Sequence, residues 1–219
     1  LPSDGVMARY ASPDLALSNE EIARIRDAYG ADDPLLLQYL GALGGFVTGN
    51  FGFSVQTGTP VSTLIAEALP GTVALSVAAF LLAVVLALLI AVLATTRTFG
   101  WVGDVVRSLP AFMVSLPTFW LGIVIIQVVS FQLGWVPIIG ASPLEALILP
   151  TLTLAVPISA PLAQVLIRSI DEVHRQPFIQ AVRARGAGEA WIFWHNVLRN
   201  AMLPALTMAG LLFGELVGG

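Results

Sequence analysis

Residues 180–204 read QAVRARGAGEAWIFWHNVLRNAMLP. They lie in a polar, arginine-bearing segment, Arg168–Asn200, that separates two apolar stretches. A short helix, a glycine break and a second helix between two apolar stretches is how a membrane protein presents a rigid surface to a soluble partner. Pro177 suits the first turn of a helix, where its missing N–H costs nothing. The spacing predicts a helix over Phe178–Arg185, with Phe178, Ala181, Val182 and Arg185 at i, i+3, i+4 and i+7 on one face and Gln180, Arg183 and Ala184 pointing elsewhere. Gly186-Ala187-Gly188 stops it. A second helix opens near Glu189 and runs through Trp191, Phe193, Trp194, Val197 and Leu198 toward Pro204. The run Trp191–Trp194 also suits a helix that lies in the membrane interface and merely returns the chain to the bilayer, where Trp is enriched. The first helix of the pair is expected to be partly open to solvent when the chain is alone.

Outward from this segment, the solvent for most of the chain is lipid. Hydrophobic residues make up 57% and charged residues 11%, against about 25% charged in soluble domains. All ten basic residues are Arg, and there is no Cys. Without Lys there is no P-loop to hold nucleotide phosphates and no Schiff-base chemistry. Without Cys there are no disulfides, thiolate metal sites or cysteine nucleophile. His174 and His195 lack the company a metal site needs, and no nucleophile–base cluster is visible, so no catalytic residue, metal ligand or cofactor is assigned. A net charge of −4 speaks against nucleic acid as a partner.

Ala68–Thr96 is 29 residues without a charge, about 43 Å as a helix, and covers a hydrocarbon core of about 30 Å. Gly100–Val106 reads as a short loop. Ser108–Leu144 is again uncharged, giving a span near Leu109–Leu133 followed by a Gly/Pro loop at 134–145. Ala146–Ile167 is a third span, and Ala201–Gly219 begins a fourth. Before them, Ser18 and Glu21 suggest a capping box opening a helix over Asn19–Tyr29, closed by Gly30. Leu35–Val47 is apolar but too short to span, and Gly49–Gly58 reads as loop. The fold class is therefore all-α: a polytopic helical membrane protein. Residues 1–67 form one part and 68–219 the membrane part, with the polar segment 168–200 inside it. The chain starts without Met and ends while still apolar, which reads as material missing at both ends.

Arginine sets the orientation. Alternating spans place 97–107 and 168–200 on one side, with seven of the ten Arg, while 1–67 carries eight of the fourteen acids. The Arg-rich side is expected to be cytoplasmic and 1–67 extracytoplasmic, so an odd number of spans should precede Leu1. Pro110, Pro117, Pro150, Pro157 and Pro161 interrupt the spans. The bends they make suit helices lining a path as well as ordinary packing curvature.

Gln180-Ala181-Val182, three residues and Gly186 resemble the EAA–x3–G signature of ABC-importer permeases. FIQAVRARGAGEAWIFWHNVLRNAMLP (Phe178–Pro204) is similar to the dipeptide/oligopeptide (peptide/nickel) branch of that family. So are DPLLLQYL (Asp33–Leu40), GNFGFSVQTGTPV (Gly49–Val61), SLPTFWLGIVI (Ser115–Ile125), LGWVPIIG (Leu133–Gly140) and LILPTLTLAVP (Leu147–Pro157), in order along nearly the whole chain. Gln180 replaces the signature Glu and Val182 the second Ala. Arg185 stands where Lys is common. Asn196-Val197-Leu198-Arg199 occupies the place of I-x-L-P.

The resemblance implies a type I ABC importer transmembrane domain of six helices, about four of them in this chain. It implies a loop that docks on an ATP-binding subunit through Phe178, Gln180, Ala181, Arg183, Ala184, Arg185, Gly186, Ala187, Gly188 and Glu189. It also implies a second homologous permease, two ATP-binding subunits that hold the ATP, an extracytoplasmic substrate-binding protein, and peptides as cargo. Nickel chelates, glutathione or another small solute would use the same machinery. An ion-driven carrier is the rival from another class. It would need several buried carboxylates, and only Glu215 qualifies. An intramembrane carboxylate is a functional candidate by default, so Glu215 is a candidate for the substrate path, or else pairs with a partner subunit or sits near the membrane face. Gln127, Gln132 and Gln164 are weaker candidates, since amides in spans also serve as helix–helix glue.

Overall fold

The computed structural model describes Glu20 and residues 34–54, 57, 59–96 and 100–218. The capping box at Ser18 and Glu21 and the helix to Tyr29 lie outside them, as does Arg97. The chain divides into two compact units, Leu1–Gly71 and Thr72–Gly219.

In the first unit, α1 spans Leu35–Val47, as its apolar run predicts, and exposes Leu36, Leu40, Leu43 and Phe46. Thirteen residues reach about 20 Å, short of a bilayer. The chain folds back at once: Asn50 N–H donates to Gly45 O at 2.8 Å, and Phe46 meets Phe51 edge-on at 5.5 Å. A Cβ on Gly45 would lie 2.7 Å from Asn50 O, so this turn requires glycine. A single antiparallel bridge joins Phe53 to Pro60.

The long helix α2, Val61–Thr95, starts seven residues before the uncharged run and carries Glu67 and Pro70 in its first turns. In the second unit its residues Ala79, Ala83, Ala87 and Ala91 recur every four positions and are fully buried, while Leu81, Val85 and Leu89 are exposed. Lipid tails are as apolar as Leu, so helices in a bilayer gain by close backbone approach over small residues. The helix α5, Pro143–His174, likewise buries small residues, Ala155, Ser159, Ala160 and Ala163. Its start is fixed by a capping box: Ser142 N–H donates to Glu145 Oε2 at 2.7 Å and Glu145 N–H to Ser142 Oγ at 3.4 Å. Pro150, Pro157 and Pro161 sit within α5 without ending it. Thr153 and Ser159 hydroxyls donate to Leu149 O and Val156 O in the same stretch, an accommodation helices in membranes use around proline.

Two expectations need correcting. Residues 100–106 are not a loop: α3 occupies Trp101–Ser115. The span expected near Leu109–Leu133 is not one straight helix either. After α3 comes α4, Thr118–Ile125, which continues as a π-helical stretch Ile126–Gln132, and the two halves meet at 106°. Pro117 is the cause. It forces Leu116 out of the helical region, to φ −84° and ψ 124°, because the proline ring clashes with a helical predecessor. Pro110, fully buried inside α3, makes no such break.

The chain closes with α6, Pro177–Ala184, α7, Glu189–Ile192, a π-helical stretch Phe193–Val197 and α8, Leu198–Gly218. From Glu189 to Gly218 these form 30 continuous helical residues. Among the described residues three helices are long and apolar enough to cross a membrane, or four if the bent pair is counted as one span. The α2–α8 contact is made by Ser76 Oγ donating to Leu216 O at 3.2 Å and by Phe80 against Phe213 at 5.1 Å.

Replacing Ala163 by Leu should overpack the small-residue face and cost about 1–3 kcal/mol. Thermal unfolding in detergent reads this as a lowered midpoint; an unchanged midpoint would contradict the packing.

Candidate functional site

The helix pair α6–α7 is built as its sequence predicts. Gln176 precedes α6 with an extended backbone (φ −68°, ψ 142°) and Pro177 takes the first helical position. Gly186 then turns the chain at φ +86°, a left-handed conformation that costs other residues about 1–2 kcal/mol. Gly188, extended at φ −69° and ψ 149°, leads into α7.

The inward face of α6 is not centred on the Phe178, Ala181, Val182 and Arg185 stripe. Ile179 is fully buried and Val182 half-buried, while Phe178, Ala181 and Arg185 are exposed. Three apolar residues and an Arg at helical spacing did not reveal which edge of the stripe turns inward. Ile179 belongs to one continuous buried cluster with Ile170 of α5, Ile192 of α7 and Val197 of the π-helical stretch. Each of these four is among the largest fully buried side chains. His174 at the end of α5 lies over Phe193, ring centres 6.2 Å apart.

The outward face carries nearly every residue singled out for docking. Gln180, Ala181, Arg183, Ala184, Arg185, Gly186, Gly188 and Glu189 are exposed, Phe178 is 43% exposed, and Ala187 is half-buried. A clip spans the turn: Arg183 Nε donates to Glu189 Oε1 at 2.5 Å and Nη2 to Glu189 Oε2 at 3.0 Å. Arg183 Nη1 also reaches Gln180 Oε1 at 3.4 Å. Gln180, in the signature Glu position, therefore accepts from a neighbouring Arg. The hydrogen bonds that Arg183 donates to Glu189 push the Arg183 pKa up from its ordinary value. Beyond it, Trp191 stacks on His195 at 4.8 Å, with Trp191 and Trp194 both exposed.

The candidates for a polar path are spread over three elements: Gln127 on the π-helical stretch after α4 and Glu215 on α8 are exposed, and Gln164 on α5 is half-buried. None of the described hydrogen bonds joins them. Sequence reading passed over two hydroxyls that structure makes more conspicuous. Ser130 Oγ on the π-helical stretch and Thr151 Oγ1 on α5 are buried and have no hydrogen-bond partner. The π-helix that carries Ser130 is a rare form found disproportionately at functional sites. Thr151 lies on α5 near Thr153, which packs 3.3 Å from where a Cβ of Gly122 would stand.

The family model for the binding-protein-dependent transport system inner membrane component matches residues 83–219. The chain belongs to that family. It is 34% identical over 198 residues to the glutathione transport system permease protein GsiC of Escherichia coli strain K12 and to that of Salmonella typhi. The match covers 90% of this chain and 65% of each relative, so the chain spans less than two-thirds of the length of those proteins. The ABC-importer permease resemblance and the all-α membrane fold read from the sequence are borne out.

Replacing Gly186 by Val should strain the turn by about 1–2 kcal/mol and loosen the α6–α7 pair. Hydrogen exchange across 177–189 should accelerate; unchanged protection would show that the turn does not depend on its glycine.

Proposed function

We propose that this chain is the membrane-spanning permease part of an ATP-driven importer of small peptides. The observation that carries the reading is a solvent-facing helix–turn–helix, α6–α7, seated rigidly on buried Ile170, Ile179, Ile192 and Val197. Such an element suits the cleft of a soluble ATP-binding subunit. Two such subunits would close on ATP and draw the α6–α7 segments with them. The cavity between this chain and a second, homologous permease would then open outward toward a binding protein. ATP hydrolysis by the partner subunits resets a two-state element biased by nucleotide, and the permease performs no covalent chemistry. The arginine-rich segment 168–200 faces the cytoplasm and residues 1–67 the outside, following the distribution of arginine.

Peptide cargo is supported by the peptide-branch motifs and by the relatives, named for transport of glutathione, itself a small peptide. Glu215, Gln127 and Gln164, with the unpartnered Ser130 and Thr151 hydroxyls, are the polar groups that would meet it.

These 219 residues hold no cysteine, so the test needs only that any cysteines elsewhere in the importer be replaced. With Ala184→Cys in the complete protein, co-expressed with its ATP-binding subunits, a short-range thiol cross-link to an ATP-binding subunit should form, and its yield should change on adding ATP. No cross-link from Ala184→Cys or Ala187→Cys would remove the physical support for coupling.

A further inference from the structure

Arg107 is the only charged residue between Asp104 and Glu145, and it binds two other elements. From α3, its Nη1 donates to Asp171 Oδ2 of α5 at 2.5 Å and its Nη2 to Asp171 Oδ1 at 3.4 Å. Nη2 also donates to Ala94 O at 3.1 Å, in the last turn of α2, where helix carbonyls lack intrahelical partners. One planar guanidinium therefore joins the middle of α3 to the ends of α2 and α5, which a point-like ammonium could not do with the same geometry.

The pair is partly exposed, 41% for Arg107 and 35% for Asp171. Ion pairs so exposed add little to stability, so its consequence is geometric. Asp171 follows Ile170, the α5 member of the buried cluster that seats α6 and α7. One turn on, His174 Nδ1 pairs with Ile170 O at 3.1 Å and its ring lies over Phe193. A continuous line of contacts thus runs from Ile179 of α6, through Ile170, to Asp171, Arg107 and the bent pair α3–α4.

We infer that Arg107 and Asp171 are positioning residues that carry movement of the α6–α7 segment to α2 and to the bent pair α3–α4. The inference rests on the permease reading above. Moving α6–α7 displaces the end of α5; the clamp makes α3 follow; and the sharp turn at Pro117 converts that shift into displacement of α4 and its π-helical end. Without the clamp, α6–α7 would still bind and follow the ATP-binding subunit, but α4, left with its packing on α5 alone, would respond less.

The test uses the complete importer in proteoliposomes, with a membrane-impermeant maleimide as the probe, so that no cargo need be known. In a Gln132→Cys parent, the rate of labelling at the end of the α4 π-helical stretch should change about fivefold on adding ATP. Asp171→Asn and Arg107→Gln should cut that change at least by half while the ATP-dependent cross-link from Ala184→Cys persists. The swap Arg107→Asp with Asp171→Arg should restore it, at least in part. A purely structural pair would lower assembly and cross-link together. The clamp is overturned if the parent shows no ATP-dependent labelling, if Asp171→Asn keeps it, if the single variants fail to assemble, or if the swap assembles without restoring it. Loss of the Ala184→Cys cross-link in the parent would take down the permease reading, and the clamp with it.

Discussion

Burial of four β-branched side chains, Ile170, Ile179, Ile192 and Val197, is the interaction on which the arginine-bearing end of the molecule depends. Their place follows from the solvent. Along the membrane helices, burying an apolar side chain gains nothing over leaving it in lipid, and the buried positions of α2 are mainly alanines that allow close approach. In the segment from Ile170 to Val197 polar residues are frequent and water is the competing environment. There each buried Val or Ile contributes about 1.5–3 kcal/mol. The two halves of the protein are thus held by different physics: small residues and van der Waals contact in one, the hydrophobic effect in the other. The element proposed to meet a soluble partner is held by the second kind.

Polar contacts at this end divide the labour. The Arg183–Glu189 clip is local, closing the turn at Gly186 and leaving Gln180, Ala184 and Arg185 outward. The Arg107–Asp171 pair is long-range, joining positions 64 residues apart. Both are partly exposed arginine forks, and neither is needed to explain why the fold is stable. What they fix is orientation, which a greasy cluster of Ile and Val side chains, being non-directional, specifies less sharply.

Much of this was legible in the sequence, for reasons that particular residues make plain. Pro177, the Gly186–Gly188 break and the apolar run to Pro204 located α6, α7 and α8 because proline and glycine act on the backbone locally. The 13-residue α1 was equally readable. The first half of α3 was missed: Gly100, Gly103 and Asp104 read as loop, yet Arg107 just beyond them finds partners in Ala94 and Asp171 that no local pattern announces. The break at Pro117 was visible as a kink, but its 106° turn depends on how α4 packs on α5. On α6 the residues proposed for docking lie on the exposed face, while Ile179, the anchor beneath them, was overlooked because its burial is decided by Ile170 and Ile192 in other helices. Ser130 and Thr151 drew no notice, since a hydroxyl in an apolar run becomes conspicuous only once its lack of a partner is known.

Rigidity of α6–α7 on the rest of the chain is the central claim, and a distance measures it directly. Spin labels on Ala184→Cys in α6 and Arg168→Cys in α5, both exposed positions, would report it by pulsed dipolar spectroscopy in the complete importer with its other cysteines replaced. A single narrow distance, unchanged by ATP, is the predicted result: the buried cluster moves as one body. A broad distribution, or a distance that shifts when ATP is added, would show that α6–α7 swings independently of α5 and would contradict it.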